Sequence, residues 1–334
     1  MTRKALAVLD GLKDARVLAL GDLMLDRYIY GEAVRLSPEA PVPVISVRRR
    51  VNMPGGLGNV LMNLASLGLS PLSVGIVGED SKKAILECLL RAELGKGNIV
   101  LLTDPSRPTT VKTRLIAGIQ QVARYDEESL EPVDGSAAAK YLKTALKLLP
   151  RAGTLSLSDY GKGLLTPSMC GTLISAAEKA GIPVVVDPKG SDWERYSGAS
   201  LVTPNRQELS LALGRDVSRG SGELLAAGAK ELMARHRIKN ILVTRSEDGM
   251  TLVREKGEAT HLSARARAVF DVSGAGDTVV SVMAAALAAG ASLQDGAELA
   301  TLASGVVVGK VGTSTASPEE IRQSAALEDI SRED

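Results

Sequence analysis

Histidine and cysteine are scarce in this chain of 334 residues, which has two of each. His236 lies at the basic end of a predicted helix and His261 in a predicted strand, and neither has other ligand-type residues beside it. A histidine base or a histidine metal site is therefore not expected. Cys88 and Cys170 lie far apart in apolar helical patterns, so we expect two buried free thiols rather than a redox pair. Catalysis should depend on carboxylates, lysines and backbone amides.

An excess of charge of either sign is also missing, because 40 Lys and Arg balance 39 Asp and Glu. Such a balance provides no general attraction to nucleic acid or to a membrane surface. No apolar run reaches the roughly 18 residues of a membrane span, and residues 1–15 lack the core of a signal peptide. We therefore expect a cytoplasmic protein with no nucleic-acid or membrane partner. The basic run 48–50 follows a predicted strand and is interpreted as a solvated strand end.

Two common phosphate-transfer signatures are absent. The chain has no Gly-Lys-Ser or Gly-Lys-Thr, which excludes the P-loop of the commonest NTPases. It has neither His-Arg-Asp nor Asp-Phe-Gly, which excludes the protein kinases. If this protein transfers phosphate, it does so on another scaffold.

Short apolar runs alternate with helical patterns along most of the chain, and 45% of the residues are hydrophobic. This pattern predicts an α/β fold, with a mostly parallel central sheet flanked by helices on both faces. No repeat or long linker divides the sequence, so one domain over 1–330 is expected. The predicted strands are 16–20, 72–77, 154–158, 182–187, 201–203 and 241–244, with a helix at 57–67 opened by glycines.

Two β-rich segments interrupt this alternation. Residues 42–47 have prolines before and within them, which confines a strand to a sheet edge. Residues 111–124 interleave charged and β-branched side chains. The segments form either two edge hairpins of the main sheet or a small separate sheet, a lid inserted from about 27–50 and 108–125. We favour the lid, and because a small exposed sheet leaves edges that a second copy can cover, we expect a homodimer through it.

The sequence Asp-Val-Ser-Gly-Ala-Gly-Asp-Thr at 271–278 leads into an almost wholly apolar stretch. A turn of small residues at the start of a buried helix leaves backbone N–H groups unpaired, and these suit a phosphate. Gly274, Ala275 and Gly276 would supply such donors to the charge that develops in phosphoryl transfer. Asp277, in the first turn, is either a general base or an ordinary helix N-terminal charge. The motif by itself leaves both interpretations open.

Three motifs in order along the chain resemble the signatures of the ribokinase (PfkB carbohydrate kinase) family. They are, from the N-terminus, Gly55-Gly56 with Asn59, Asn205-Arg206-Gln207-Glu208, and Gly274-Ala275-Gly276-Asp277-Thr278. Further stretches are similar to the D-glycero-D-manno-heptose-7-phosphate kinases: 21–28, 36–44, Asp159-Tyr160-Gly161-Lys162-Gly163, 186–190, 203–205 and 308–313. Leu23, Leu36 and Leu57-Gly58 depart mildly from that pattern, so another sugar preference stays open.

The resemblance implies a ribokinase-like fold and phosphorylation of the C1 hydroxyl of heptose 7-phosphate by MgATP, for ADP- or GDP-heptose precursors of lipopolysaccharide or surface glycan. With no His-x-x-His or His-x-Gly-His element, the chain resembles the stand-alone kinase form. The resemblance also implies a catalytic base at Asp277 with anion-hole amides at Gly274, Ala275 and Gly276. A ribokinase-type kinase for another sugar and a non-catalytic sugar-phosphate sensor are the alternatives.

Binding roles are implied in the same way. Asn205 and Glu208, within the element that includes Arg206 and Gln207, would hold Mg²⁺ beside ATP, or form a helix cap and its capping-box partner. Thr244, Ser246 and Gly249 would touch the nucleotide, or simply form a hairpin turn. A monovalent cation could lie on carbonyl groups of 306–315. The sugar contacts would be Asp26, Gly55, Gly56 and Asn59, and the further candidates for the sugar or its phosphate are Asp159, Lys162, Lys189, Arg35 and Arg124. The two lysines would bind either the phosphate of the sugar or the phosphates of ATP.

Overall fold

The computed structural model describes residues 3–95, 98–133, 135–265, 269–310 and 312–330. In these ranges the strands are β1 (Val17–Gly21), β2 (Leu23–Leu36), β3 (Pro43–Gly56), β4 (Leu72–Val77), β5 (Ile99–Thr103), β6 (Thr110–Ala117), β7 (Gln120–Glu127), β8 (Thr154–Ser158), β9 (Val184–Asp187), β10 (Leu201–Val202), β11 (Ile241–Thr244), β12 (Met250–Val253) and β13 (Ala259–Leu262). The α-helices are α1 (Arg3–Gly11), α2 (Leu57–Ser66), α3 (Ser81–Leu94), α4 (Gly135–Leu148), α5 (Pro167–Lys179), α6 (Arg206–Leu213), α7 (Gly222–His236), α8 (Ala275–Ala288), α9 (Leu293–Val307) and α10 (Pro318–Ile330).

The main sheet has the order β13-β12-β11-β10-β9-β8-β1-β4-β5, and β12 runs antiparallel to its two neighbours, β11 and β13. Residues of β1 alternate between two hydrophobic cores: Leu18 and Leu20 face the side covered by α4 to α7. Val17 and Ala19 face the other side, covered by α1 to α3 and α8 to α10. Because both faces are buried, the central strands are mostly apolar, and the predicted fold class is confirmed.

The second sheet has the order β3-β2-β6-β7 and is separate from the main sheet. The edge-hairpin interpretation of the two β-rich segments is therefore wrong, since neither segment joins the main sheet in the described chain. The basic run 48–50 lies in the middle of β3 rather than at a strand end, and its side chains are exposed. We refer to this four-stranded sheet as the lid.

The carboxyl ends of β1, β8 and β9 meet at one edge of the main sheet. Gly21 pairs with Ser158, and Ser158 with Asp187. The next residues continue the contact, because Asp22 N–H donates to the Ser158 carbonyl at 3.1 Å and Asp159 N–H to the Asp187 carbonyl at 3.1 Å. In open α/β sheets ligands bind at this edge.

The two thiols differ in exposure. Cys170 is buried as predicted, and burial raises its pKa to about 12. Cys88 is exposed, so the prediction of two buried thiols is wrong for this residue. It lies on α3, which fully buries only Leu86, Leu90 and Leu94, and the side chain of Cys88 is on the solvent side of the helix. No helix in the described ranges is both long and apolar enough to span a membrane.

Candidate active site

Asp277 is the third residue of α8, which begins after Gly274 in a left-handed conformation (φ 82°). Its carboxylate is 4% exposed and accepts two hydrogen bonds from other elements. Asn59 Nδ2 on α2 donates to Oδ2 at 2.7 Å, and the Tyr160 hydroxyl donates to Oδ1 at 2.8 Å. Gly274 occupies the N-cap position. Hydrogen bonds from α2 and from the loop after β8 thus position the Asp277 carboxylate, which does not cap α8.

The electrostatics of Asp277 suit a base that works near neutral pH. Burial raises the pKa of its carboxyl to about 6, with a further upward contribution from the charge of Asp26, while the hydrogen bonds from Asn59 and Tyr160 lower it. A carboxyl of this kind is ionised at pH 7 yet holds a proton more readily than a solvated aspartate. Such a value favours proton transfer near neutral pH.

We expect Tyr160→Phe to move the acidic limb of the kcat/KM profile to higher pH. The Tyr160 hydroxyl stabilises the ionised form of Asp277, so its loss raises the carboxyl pKa by about 1 to 2 pH units, the value of a hydrogen bond to a charged group. The wild-type limb is expected near pH 6, the Asp277 value. Tyr125→Phe, on exposed β7, is the matched control. A limb that stays in place in Tyr160→Phe would contradict this role.

A buried polar chain holds Asn59 in place. Asn63 Nδ2 donates to the Asn59 carbonyl at 2.9 Å, and the Thr278 hydroxyl donates to Asn63 Oδ1 at 2.9 Å. A Cβ at Gly274 would lie 2.7 Å from Asn59 Nδ2. Glycine is therefore required there both by its positive φ and by the close approach of the amide that holds Asp277.

Asp26, on β2, lies on the lid side of Asp277. The residue is 5% exposed, and its carboxylate pairs with Arg114 Nη1 of β6 at 2.5 Å. The guanidinium of Arg114 lies over the Tyr28 ring, 5.2 Å from its centroid. A Cβ at Gly55 would lie 2.1 Å from Asp26 Oδ2, so only glycine fits beside this carboxylate. Gly56, with φ 55°, then turns the chain into α2.

On the opposite side of Asp277, Asn205 caps α6. Its side chain accepts from Glu208 N–H at 2.9 Å, and Glu208 Oε2 accepts from Asn205 N–H at 3.0 Å, which is the predicted capping box. Glu208 Oε1 also pairs with Lys189 Nζ at 3.1 Å. These groups line a cleft of about 150 Å³ whose other lining residues include Asp159, Asp187, Gly274, Gly276 and Asp277.

A neighbouring cavity of about 350 Å³ is lined by Thr244, Ser246 and Gly249 together with Ala275. These three residues lie at the predicted hairpin turn between antiparallel β11 and β12 and also line the cavity, and their contact with a nucleotide stays a prediction. Asn205 and Gly276 line both spaces. Arg206 pairs with Asp248, and Gln207 is exposed on α6. Neither of these two lines the cleft or the cavity in the part of the chain that the structure describes.

Several predicted ligand-binding residues lie elsewhere or are already paired. Arg35 is exposed and lies nine residues along β2 from Asp26, which is about 30 Å at the usual rise of a strand. The structure thus does not bring Arg35 to Asp277. Arg124, also exposed, pairs with Asp126 at 3.1 Å. Lys162 pairs with Glu128 at 2.8 Å. Asp159 accepts from the Tyr196 hydroxyl at 2.6 Å.

The sequence reasoning assigned no role to Tyr160, Arg114, Lys112 or Asp22. Asp22 is buried and accepts from Tyr160 N–H at 2.9 Å and Lys162 N–H at 3.1 Å, which fixes the loop after β8. Burial, with the charge of Asp159, raises the pKa of Asp22 to about 6. The Gly-Asp after the first predicted strand was the available signal for Asp22. Tyr160, Arg114 and Lys112 make their contacts with residues that are distant in the sequence, so no local pattern identifies them.

The fold and this site together define a small-molecule kinase of the ribokinase type. Residues 14–320 match the model of the pfkB family carbohydrate kinases. The chain belongs to this family, whose members are phosphotransferases with an alcohol acceptor.

Curated relatives agree with this assignment. The chain is 48% identical over 319 residues to the Bifunctional protein HldE of Paramagnetospirillum magneticum and 45% identical over 318 residues to that of Acidiphilium cryptum. These alignments cover 96% and 95% of the chain but 65% and 64% of the relatives, so it spans less than two thirds of their length.

Solved structures share the fold. The ribokinase of Arabidopsis thaliana complexed with ribose and ATP superposes with a TM-score of 0.73 at 20% identity, covering 93% of this chain and 98% of that one. The phosphofructokinase-2 of Escherichia coli in complex with potassium has a TM-score of 0.74 at 22% identity, with coverages of 94% and 99%.

Proposed function

We propose that this protein transfers the terminal phosphoryl group of ATP to the C1 hydroxyl of D-glycero-D-manno-heptose 7-phosphate, making the 1,7-bisphosphate used for ADP- or GDP-heptose. The observation that carries the proposal is the position of Asp277. It is buried, held by Asn59 and Tyr160, and lines the cleft that contains Asn205 and Glu208, and Asp26 of the lid is near enough for its charge to raise the pKa of Asp277. The sequence motifs shared with the heptose-7-phosphate kinases supply the choice of sugar.

In this proposal each side of Asp277 has one substrate. ATP occupies the cavity beside Thr244, Ser246 and Gly249, with its phosphates in the adjoining cleft. The sugar lies against Asp26, Gly55, Gly56 and Asn59, with its acceptor hydroxyl at Asp277. Asp277 takes the proton of that hydroxyl as phosphoryl transfer proceeds. The N–H groups of Gly274, Ala275 and Gly276 stabilise the charge on the transferred group, and the burial of the site excludes water.

The residues of the cleft fit a magnesium ion bound mainly by phosphate and water. Among the described residues, no group of three or more Asp, Glu, His or Cys side chains is arranged as a metal site. Mg²⁺ needs few protein ligands when it is bound with a nucleotide, because it keeps several waters and takes phosphate oxygens. Glu208 and Asn205 would hold it, with Asp187 nearby, where burial and the charge of Glu208 raise the carboxyl pKa well above its usual range. When bound, Mg²⁺ neutralises phosphate charge.

We expect Glu208→Gln to raise the Mg²⁺ concentration needed for half-maximal activity by about 10-fold, since one charged ligand contact is worth about 1.4 kcal/mol or more. Glutamine can still complete the capping box of α6, so the fold is kept. The measurement is a magnesium titration at fixed ATP. Glu178→Gln, in an exposed pair with Lys239, is the control. An unchanged magnesium requirement would remove Glu208 from the metal site.

The substrate assignment is tested with a panel of sugars and sugar phosphates. We expect turnover of D-glycero-D-manno-heptose 7-phosphate and, by ³¹P NMR, a new anomeric phosphate. Activity on ribose or fructose 6-phosphate, with none on the heptose phosphate, would contradict the heptose assignment and indicate a kinase for another sugar. Sugar-phosphate binding without any turnover would favour a sensor. Repeating the assay in K⁺ and Na⁺ tests the monovalent-cation site proposed for 306–315, of which residue 311 lies outside the described part of the chain.

We also propose that two copies associate through the lid, the segments about 27–50 and 108–125. Exposed large apolar side chains are concentrated there: Val34, Leu36, Val42, Val47, Ile119, Val122 and Tyr125. Leu36 is 70% exposed, and burying such a side chain in a dimer contributes about 1.5 to 3 kcal/mol. We expect Leu36→Glu to shift a dimer toward monomer in sedimentation velocity, while Leu211→Glu, on exposed α6 surface, leaves it intact. A wild-type monomer at micromolar concentration would refute this arrangement.

A further inference from the structure

The inner face of the lid carries two basic side chains close to the catalytic base. Lys112 and Arg114 lie two residues apart on β6 and therefore on the same face of the strand. The register places Lys112 beside Asp26 and Arg114 beside Tyr28. Asp26 is near enough to Asp277 for its charge to raise the pKa of that carboxyl. This face of the lid thus borders the acceptor side of the site.

The basic groups around the site differ in whether a carboxylate already engages them. Arg114 is committed to Asp26 at 2.5 Å, and Lys189 is bound to Glu208 on the nucleotide side. Arg124 is engaged by Asp126. Lys112 is partly buried and lies opposite Asp126 on β7, but within the described ranges it forms no ion pair. Its ammonium lies over the ring of Tyr160, 5.8 Å from the centroid.

A second cation approaches Lys112 from the loop after β8. The Lys162 side chain is 13% exposed and reaches Glu128 at 2.8 Å. Burial, and next the positive charge of Lys162, lower the pKa of Lys112. Glu128 balances the charge of Lys162, and the charges of Asp126 and Glu128 partly offset the repulsion at Lys112. An anion that contacts both ammonium groups would offset the repulsion that remains. Their strongly hydrated, compact charges suit a phosphate.

Tyr160 contacts both the base and one of these two lysines. Its hydroxyl donates to Asp277 at 2.8 Å, and the face of its ring lies below Lys112. One tyrosine side chain therefore separates the base from the ammonium group, a span comparable to the carbon chain of a hexose or heptose. A sugar with its reacting hydroxyl at Asp277 can lie along Tyr160 and place its far end at the lysines.

We propose that Lys112 and Lys162 form a subsite for the phosphate already present on the sugar, so that they select phosphorylated over unphosphorylated acceptors. The proposal rests on the function proposed above and adds the residues that bind the phosphate of the acceptor sugar. Of the candidates from the sequence, Lys162 keeps this role in the proposal, while Lys112 takes the place of Arg35, Arg124 and Lys189.

The test is binding in an Asp277→Asn background, which prevents turnover during calorimetry with heptose 7-phosphate and with the unphosphorylated heptose. We expect Lys112→Met to weaken binding of the sugar phosphate by at least about 30-fold, as for one charge-assisted contact. Binding of the unphosphorylated sugar and of ATP should change by less than about 3-fold. Lys112→Arg should keep most of the preference, and Lys143→Met, on exposed α4 surface, is the matched control.

Each other outcome overturns the subsite in an identifiable way. An equal loss for both sugars in Lys112→Met would make Lys112 a structural residue of the lid, and so would a loss that Lys112→Arg does not rescue. An unchanged preference would exclude a phosphate contact. If the enzyme with Asp277 intact turns over heptose 7-phosphate while Lys112→Met still prefers the phosphorylated sugar, only the subsite proposal is refuted. If the enzyme with Asp277 intact prefers unphosphorylated sugars, both the subsite and the proposed function are refuted.

Discussion

Replacing Asp277 with Asn is expected to lower kcat by at least about 100-fold with little change in ATP binding, as for removal of a general base. The substitution keeps the size of the side chain. Asn59 Nδ2 can still donate to the new amide oxygen, and the Tyr160 hydroxyl can accept from the new NH₂ group, so both contacts are kept in altered form. What is lost is the ability to take the acceptor proton. Single-turnover kinetics with saturating substrates would measure the chemical step directly, and unchanged turnover would remove Asp277 from the mechanism.

The same variant should be more stable than the wild type at pH 7.5, which separates loss of a base from misfolding. The carboxyl pKa is raised from 3.8 to about 6 in the folded protein, so folding favours the protonated form. The stability that this provides is present below the unfolded pKa and is lost as the pH rises through about 6. Asn carries no such charge, and the gain at pH 7.5 is about 3 kcal/mol at most. Urea unfolding should show the gain shrinking toward pH 4, and a destabilised variant would contradict the electrostatic argument.

Replacing Asp26 with Asn is expected to raise the KM for the sugar by about 10- to 100-fold, the value of hydrogen bonds to a charged group. Asp26 is 5% exposed, its carboxylate pairs with Arg114, and only the glycine at position 55 fits beside it. Asn keeps the shape but leaves Arg114 without its ion pair. The KM for ATP should stay unchanged, because Asp26 does not line the cavity proposed for the nucleotide. Initial-rate kinetics with each substrate varied in turn provide the measurement.

Glu32→Gln is the matched control for Asp26, since Glu32 is a carboxylate on the same strand in an exposed pair with Arg48 at 3.1 Å. Exposed pairs of this kind contribute about 0 to 1 kcal/mol, so this variant should behave as the wild type. Gly55→Ala should resemble Asp26→Asn, because its Cβ would lie 2.1 Å from Asp26 Oδ2 and displace the carboxylate. Equal effects on the two KM values in Asp26→Asn would point to a general distortion and not to a sugar contact.

Local patterns were sufficient for much of the fold. The β-like run predicted at 154–158 coincides with β8, and the glycine-led helix predicted at 57–67 coincides with α2. Asn205 and Glu208 form the predicted capping box because its partners lie three residues apart. Predictions failed where exposure depends on tertiary packing. Cys88 was expected to be buried, but α3 turns another stripe of side chains toward the core.

The sequence by itself determined the glycine motifs, the alternation of strands and helices and the candidacy of Asp277, because each depends on residues close together in the chain. Only the tertiary structure decided what surrounds that carboxylate. Asn59 and Tyr160, separated from Asp277 by 218 and 117 positions, hold its two oxygens, and Arg114 reaches Asp26 across 88 positions. The lid likewise separated residues that are near in sequence, because a fully extended strand carries Arg35 far from Asp26. Contacts of this kind arise from the packing of α2, α8, the lid and the loop after β8, which no local pattern records.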